Sequence, residues 1–243
     1  MRKALLAMVT IAVSCAMAQK VDVHNVLRIQ LKPDKVGEFE SAVKELQTVW
    51  QKAGYERSVS VWQSGAGPLE FLMVYYTKGY AEAFDTTPPA SLRDVSANVA
   101  LLRARIAACA LSIDRRVSEV VAGASLPRGP LPPFVRVLRT EVKVGKTDQY
   151  LAMLKEMVTP AMKKAGVPSF VVFRQRYGGS TSELWTAMGV NQLSNLDDSP
   201  AAVVKAMGDA GYNQYLARRA ELVERSEVNL FRLRKDLTYT PAN

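Results

Sequence analysis

Two arginines, Arg28 and Arg139, sit in matching alternations of the 243-residue sequence: Leu27-Arg28-Ile29-Gln30-Leu31 and Leu138-Arg139-Thr140-Glu141-Val142. A strand turns successive side chains to opposite faces. Leu27, Ile29 and Leu31 then share one face, matched by Leu138 and Val142, and pack on helices. Arg28, Gln30, Arg139 and Glu141 take the other face. Glu70 and Glu183 open later strand-like runs and could pair with the arginines. A guanidinium keeps its charge when buried, and its planar fork can hold a carboxylate at two points. Buried charges are costly unless paired or solvated. If the polar face points inward, it is either an internal ion-pair network or a wet cavity; at strand ends the same residues are simply solvated. Arg28, Arg139, Glu141, Glu70 and Glu183 form the candidate ligand-binding set. With space beside them, they suit a small anionic or carbonyl-bearing molecule.

Other chemistries find little support. His24 is the sole histidine, so a zinc site would need carboxylates for nearly all its ligands, and no HxxxH or CxxC spacing occurs. A Ser-His-Asp triad would rest on that one residue, without a GxSxG elbow. His24 reads as an ordinary exposed or partly buried histidine. No metal and no cofactor are expected. Gly65-Ala66-Gly67 and Gly178-Gly179 lie between strand-like runs, whereas a phosphate-binding loop precedes a helix, so both read as hairpin turns. Cys109 falls on an apolar helical stripe and reads as a buried core thiol. Trp50, Trp62 and Trp185 read as core.

The elements that place these residues come as an internal repeat. Val26-Leu27-Arg28 recurs 111 residues on as Val137-Leu138-Arg139, and Lys32, Lys35 and Phe39 meet Lys143, Lys146 and Tyr150 at the same spacing. Lys52-Ala53-Gly54 then matches Lys164-Ala165-Gly166, Gln63 matches Gln175, and Glu70 matches Glu183. Each copy reads strand, helix, strand, strand, helix, strand. The first strands span Val26 to Lys32 and Val135 to Lys143. Phe39, Val43, Leu46 and Trp50 make the stripe of one first helix, and Tyr150, Leu154, Met157 and Ala161 that of the other. Gly54 and Gly166 end these helices. Hairpins pair Ser58 to Gln63 with Glu70 to Tyr76, and Phe170 to Arg176 with Glu183 to Met188. Second helices are expected from about Leu92 to Ile113 and Tyr212 to Glu224, and closing strands over Arg116 to Ala122 and Val228 to Lys235. Residues 126–133, rich in proline, form a stiff connector.

The start of the chain reads as a leader. Arg2 and Lys3 precede an apolar run from Ala4 to Val13, and Ala16-Met17-Ala18 offers the small-x-small pattern that signal peptidase cuts. An uncleaved anchor and a lipoprotein-type cut before Cys15 are the alternatives; the run is short for a permanent span. The expected organisation is a signal peptide at 1–18, a first repeat at 19–125, the connector at 126–133 and a second repeat at 134–243. Loss of Arg2 and Lys3 lowers the formal charge from +9 by two, to +7. The charges are scattered without basic-aromatic interleaving, which argues against nucleic acid and for a solvated surface. After leader removal Cys109 stands alone, so no internal disulfide can form. The expected location is periplasmic or extracellular, as monomer or homo-oligomer, with no integral membrane segment.

The order βαββαβ is the ferredoxin-like motif, giving an α+β fold class of two tandem repeats closed into a pseudo-dimeric α/β barrel. With its openings VLRIQLKPDKVGEFE and VLRTEVKVGKTDQY, the chain resembles the dimeric α/β-barrel superfamily, in particular its antibiotic-monooxygenase-like and NIPSNAP-like members. The resemblance implies a binding scaffold or a cofactor-independent oxygenase or isomerase. Haem-using relatives rely on histidine, and none lies on a helix here. Haem-degrading relatives combine asparagine, tryptophan and histidine; Asn25 and Trp185 match only in part, so that activity is not carried over. The leading expectation is an exported small-molecule-binding protein, with the enzyme and a structural or interaction module of the envelope as alternatives. A cavity of convergent polar and aromatic groups favours the first two, a filled barrel the third.

Overall fold

The computed structural model describes residues 22–85, 87, 89–127 and 129–242, the side chains of 198–200 excepted. The expected leader lies outside the described residues. The first half runs β1 (Val23–Leu31), α1 (Val36–Lys52), β2 (Val59–Ser64), β3 (Glu70–Thr77), α2 (Tyr80–Phe84), α3 (Ser96–Ala108) and β4 (Ala110–Val120). The second runs β5 (Phe134–Val142), α4 (Thr147–Met153), a π-helical turn (Leu154–Val158), α5 (Thr159–Lys164), β6 (Phe170–Tyr177), β7 (Glu183–Val190), α6 (Asn195–Met207), α7 (Asp209–Leu222) and β8 (Val223–Leu233).

All eight strands pair antiparallel into a closed barrel of order β1-β3-β2-β8-β5-β7-β6-β4. Closure removes the unpaired edges that an open sheet would expose. Within each half the strands run fourth, first, third, second. The halves meet along two short seams. β2 pairs β8 at Trp62 to Ser64, and β4 pairs β6 at Val117 to Val120. By contrast, β1 pairs β4 from Val23 to Leu31.

Strand alternation divides the apolar residues between two layers. Outside the barrel, Ile29, Leu31, Phe71 and Met73 pack on the α1 stripe of Phe39, Val43, Leu46 and Trp50. In the second half Val142, Leu184 and Val172 pack on Tyr150, Met153 and Leu154. Inside it, Val26, Trp62, Leu72, Val135, Val137, Trp185 and Phe231 form a separate cluster. Helix α1 and the α5 segment each end at a glycine with positive φ, Gly54 at +64° and Gly166 at +70°, as the capping residues predict.

The structure departs from the sequence expectation at the second helices. The apolar stripe expected to continue helically from Leu92 to Ile113 stops at Ala108. Ala110 onward is strand, where Ile113 pairs Ile29 and is 44% exposed. A helical stripe running into a strand carries no break in periodicity, and the ladder to β1 decides the outcome. In the second half α7 begins at Asp209, and the preceding α6 occupies a stretch between Met188 and Tyr212 to which the sequence assigned no element. Residues 234–239 return to the first half, where Leu237 and Tyr239 join the core around Trp50. The Tyr239 hydroxyl donates to the Tyr55 carbonyl at 2.7 Å, and Arg234 pairs Glu40. Among the described residues no helix is long and apolar enough to cross a membrane.

Candidate functional site

Three places inside and around the barrel bring chemically capable groups together. At one level of the barrel, Arg28 Nε lies 2.7 Å from Glu70 Oε2. Across the interior, Arg139 donates to both Glu183 oxygens, at 3.2 and 3.3 Å, and to Glu227 at 3.3 Å. Arg116, from β4, donates to Glu183 at 2.7 Å and to Asp114 at 2.8 Å. The Trp185 indole N–H also donates to Glu183, and both guanidinium groups lie over the Trp185 ring, at 5.7 and 5.5 Å. Burial raises the Glu183 carboxyl, but hydrogen bonds from Trp185, Arg139 and Arg116 outweigh it and hold the group below its ordinary value. Beside this cluster about 10 Å³ stays open, bordered by Arg139, Glu141 and Arg225, room for about one water. Glu141 borders this space without joining the bonds to Arg139.

Beyond this charged layer the barrel interior holds an apolar cavity of about 140 Å³, between Trp62, Phe173 and Trp185. His24 stands on its wall, 4% exposed and packed by the Tyr76 and Phe173 rings. It is more deeply placed than its sequence position suggested, because β1 begins at Val23 and turns His24 inward with Val26 and Arg28. The connector residues Gly129 to Pro132 cover this space.

The third space, larger than the other two, lies outside the barrel, in the first half. A cleft of about 780 Å³ opens between the outer faces of β1 and β3 and helix α3. Leu27, Ile29, Met73 and Tyr75 form its sheet wall, and Val99, Ala100, Arg103 and Ile106 its helix wall. Arg57 and Glu82 pair at the rim at 2.8 Å. Arg115 donates to Asn25 Oδ1 at 3.1 Å and to the Ala83 carbonyl at 2.6 Å. Burial pushes the Tyr75 hydroxyl up to about 12 although Arg103 pulls it down, so this phenol stays a proton donor at neutral pH. In the second half, α6 and α7 bring Leu196, Met207 and Tyr215 against the core.

No family model matches the chain, and no curated protein matches its sequence. Solved structures do. A candidate monooxygenase from Fusobacterium nucleatum aligns over 91% of this chain and 95% of its own, at 13% identity and a TM-score of 0.63. A second candidate monooxygenase, from Lactobacillus acidophilus, aligns over 91% and 97%, at 12% identity and 0.63. An anthrone oxidase-like protein aligns over 89% and 92%, at 14% identity and 0.60. The likeness is one of fold: a closed eight-stranded antiparallel barrel with outer helices.

The structure thus brings Arg28 to Glu70 and Arg139 to Glu183 in two separate pairings. The sequence reading did not include Arg116, Asp114 and Glu227, which complete the cluster from the closing strands. It also missed the cleft. The repeat draws attention to residues present in both halves, whereas Arg57 and Arg103 fall opposite Ser169 and Leu216 once the drift in spacing is followed. A site built in one half only leaves no such trace.

Proposed function

We propose that the chain is an exported small-molecule-binding protein built from two tandem ferredoxin-like repeats, its ligand seated in the cleft between β1, β3 and α3. The observation that carries this reading is the cleft's size, about 780 Å³, within the range of roughly 300–1,000 Å³ typical of ligand sites. The identical strand order of the halves and the repeated openings support the tandem unit. An apolar floor, a protonated Tyr75 and the rim cations Arg57, Arg103 and Arg115 suit a flat apolar body bearing a carboxylate or carbonyl. In this reading Arg28, Arg139, Glu70 and Glu183 satisfy one another and brace the barrel, and Glu141 borders only a water-sized space.

The probe for this site is 9-anthracenecarboxylate, followed by its own fluorescence. One saturable equivalent is expected on the full chain. Ala100→Trp, which fills the cleft, should abolish it, and Arg103→Met should weaken it about tenfold. Lys205→Ala, on α6, should change nothing. Probe binding untouched by Ala100→Trp would refute the cleft as the site.

A second reading, a cofactor-independent oxygenase or isomerase, draws on the descriptions of the structural neighbours. Glu82 and Asp85 are the carboxylates at the cleft that could take a substrate proton. Dioxygen uptake or isomerisation of a bound substrate that is lost in Glu82→Gln, with binding retained, would favour it.

A further inference from the structure

The apolar cavity inside the barrel plays no part in the reading above. Its walls are Val26, Trp62, Leu72, Val137, Phe173 and Trp185, and Pro132 of the connector seats on Gly189 at its cover. A Cβ at Gly189 would meet the Pro132 ring at 3.0 Å, so the connector lies against the barrel. An apolar cavity of about 140 Å³ is close to the about 150 Å³ at which an engineered protein cavity stays dry and admits benzene.

One polar group beside the cavity, behind its Ser118 and Phe173 walls, lacks a partner among the described residues. Gln175 is 2% exposed, and its Oε1 accepts from Ser118 Oγ at 3.0 Å, on the cavity wall. Its Nε2 has no hydrogen-bond partner among the described residues. Gln175 shares the inward face of β6 with Val171 and Phe173, both of which line the cavity. Buried amide donors are almost always satisfied, so the interior is one acceptor short.

We propose that the barrel interior is a second binding site, for a small, uncharged and mostly apolar molecule of substituted-benzene size carrying one oxygen acceptor. The apolar walls take the ring, and Gln175 Nε2 donates to the oxygen. Charged ligands are excluded, because the arginines and carboxylates of the neighbouring layer satisfy one another. Trp62 and Trp185, on the wall, report occupancy through their fluorescence.

The test titrates the full chain with p-cresol and with toluene. Saturable binding of both is expected, p-cresol the tighter. Gln175→Met should weaken p-cresol about tenfold and leave toluene unchanged. Ala187→Leu, which fills the cavity, should abolish both, while Ala100→Trp in the outer cleft should alter neither. Absence of saturation in the wild type, equal losses for both probes in Gln175→Met, or loss of binding in Ala100→Trp each overturns the proposal. Should Ala187→Leu fail to fold, xenon-129 NMR on the wild type decides. A bound-xenon signal displaced by p-cresol upholds the site, and its absence removes it.

Discussion

Glu183 receives hydrogen bonds from three strands at once: Trp185 on its own β7, Arg116 on β4 and Arg139 on β5. Removing that charge leaves two largely buried guanidinium groups short of an acceptor, which costs more than the pair itself contributes. Glu183→Gln should therefore lower stability to urea at pH 7 by about 3 kcal/mol. The pH dependence follows from the downward shift of this carboxyl. Its stabilisation is full above the unfolded carboxylate value of about 4.3 and is lost as pH falls through the lower folded value. The gap between wild type and variant should thus narrow below about pH 4. A gap of constant size between pH 7 and pH 3 would show that the charge is not what the cluster uses. The arginines and glutamates were legible in the sequence because they recur in both halves and alternate with apolar residues. Arg116 escaped notice for want of a partner of its own kind: Arg116 pairs Val26 in one half, and Asn229 pairs the equivalent Val137 in the other.

The turn between β6 and β7 shows how a single backbone position holds the barrel shut. Gly178 has φ +83°, and a Cβ there would lie 2.1 Å from the Arg115 carbonyl on β4. Gly178→Ala should combine a disfavoured backbone conformation with a clash at the short β4–β6 seam, costing about 2–4 kcal/mol. Hydrogen exchange should then rise first at Val117 to Val120, and unaltered exchange there would count against the seam's dependence on this glycine. The sequence reading placed the hairpin here but had no view of the neighbouring strand. More generally, the first strands, first helices and both hairpins were readable because each carries its own period and its own glycine punctuation. Helix α3 was overextended and α6 missed for the opposite reason. Where a helix hands its apolar stripe to a strand, or a polar stretch is drawn into a helix by its neighbours, the deciding contacts lie far along the chain.

The whole molecule rests on mutual cover, since each half supplies the other's inner wall. Residues 19–125 expressed alone would present Val26, Trp62 and Leu72 to water, together with the free edges of β2 and β4. Such a fragment should self-associate or aggregate in size-exclusion chromatography with light scattering. A well-folded monomer of that piece would refute the shared core. The return of residues 234–239 onto the first half has a further consequence, one of timing. Arg234 meets Glu40 across 194 residues of sequence, and Tyr239 closes over Trp50 and Tyr55. Domains ordinarily fold in the order in which they leave the ribosome, at about 5–20 residues per second. Here the half made first waits roughly 6 to 23 seconds for its final wall. Contacts of such long range also make closure slow. Throughout that interval the emerging first half lacks the strand pairing and the aromatic wall that complete its core, and so stays open to chaperones and proteases.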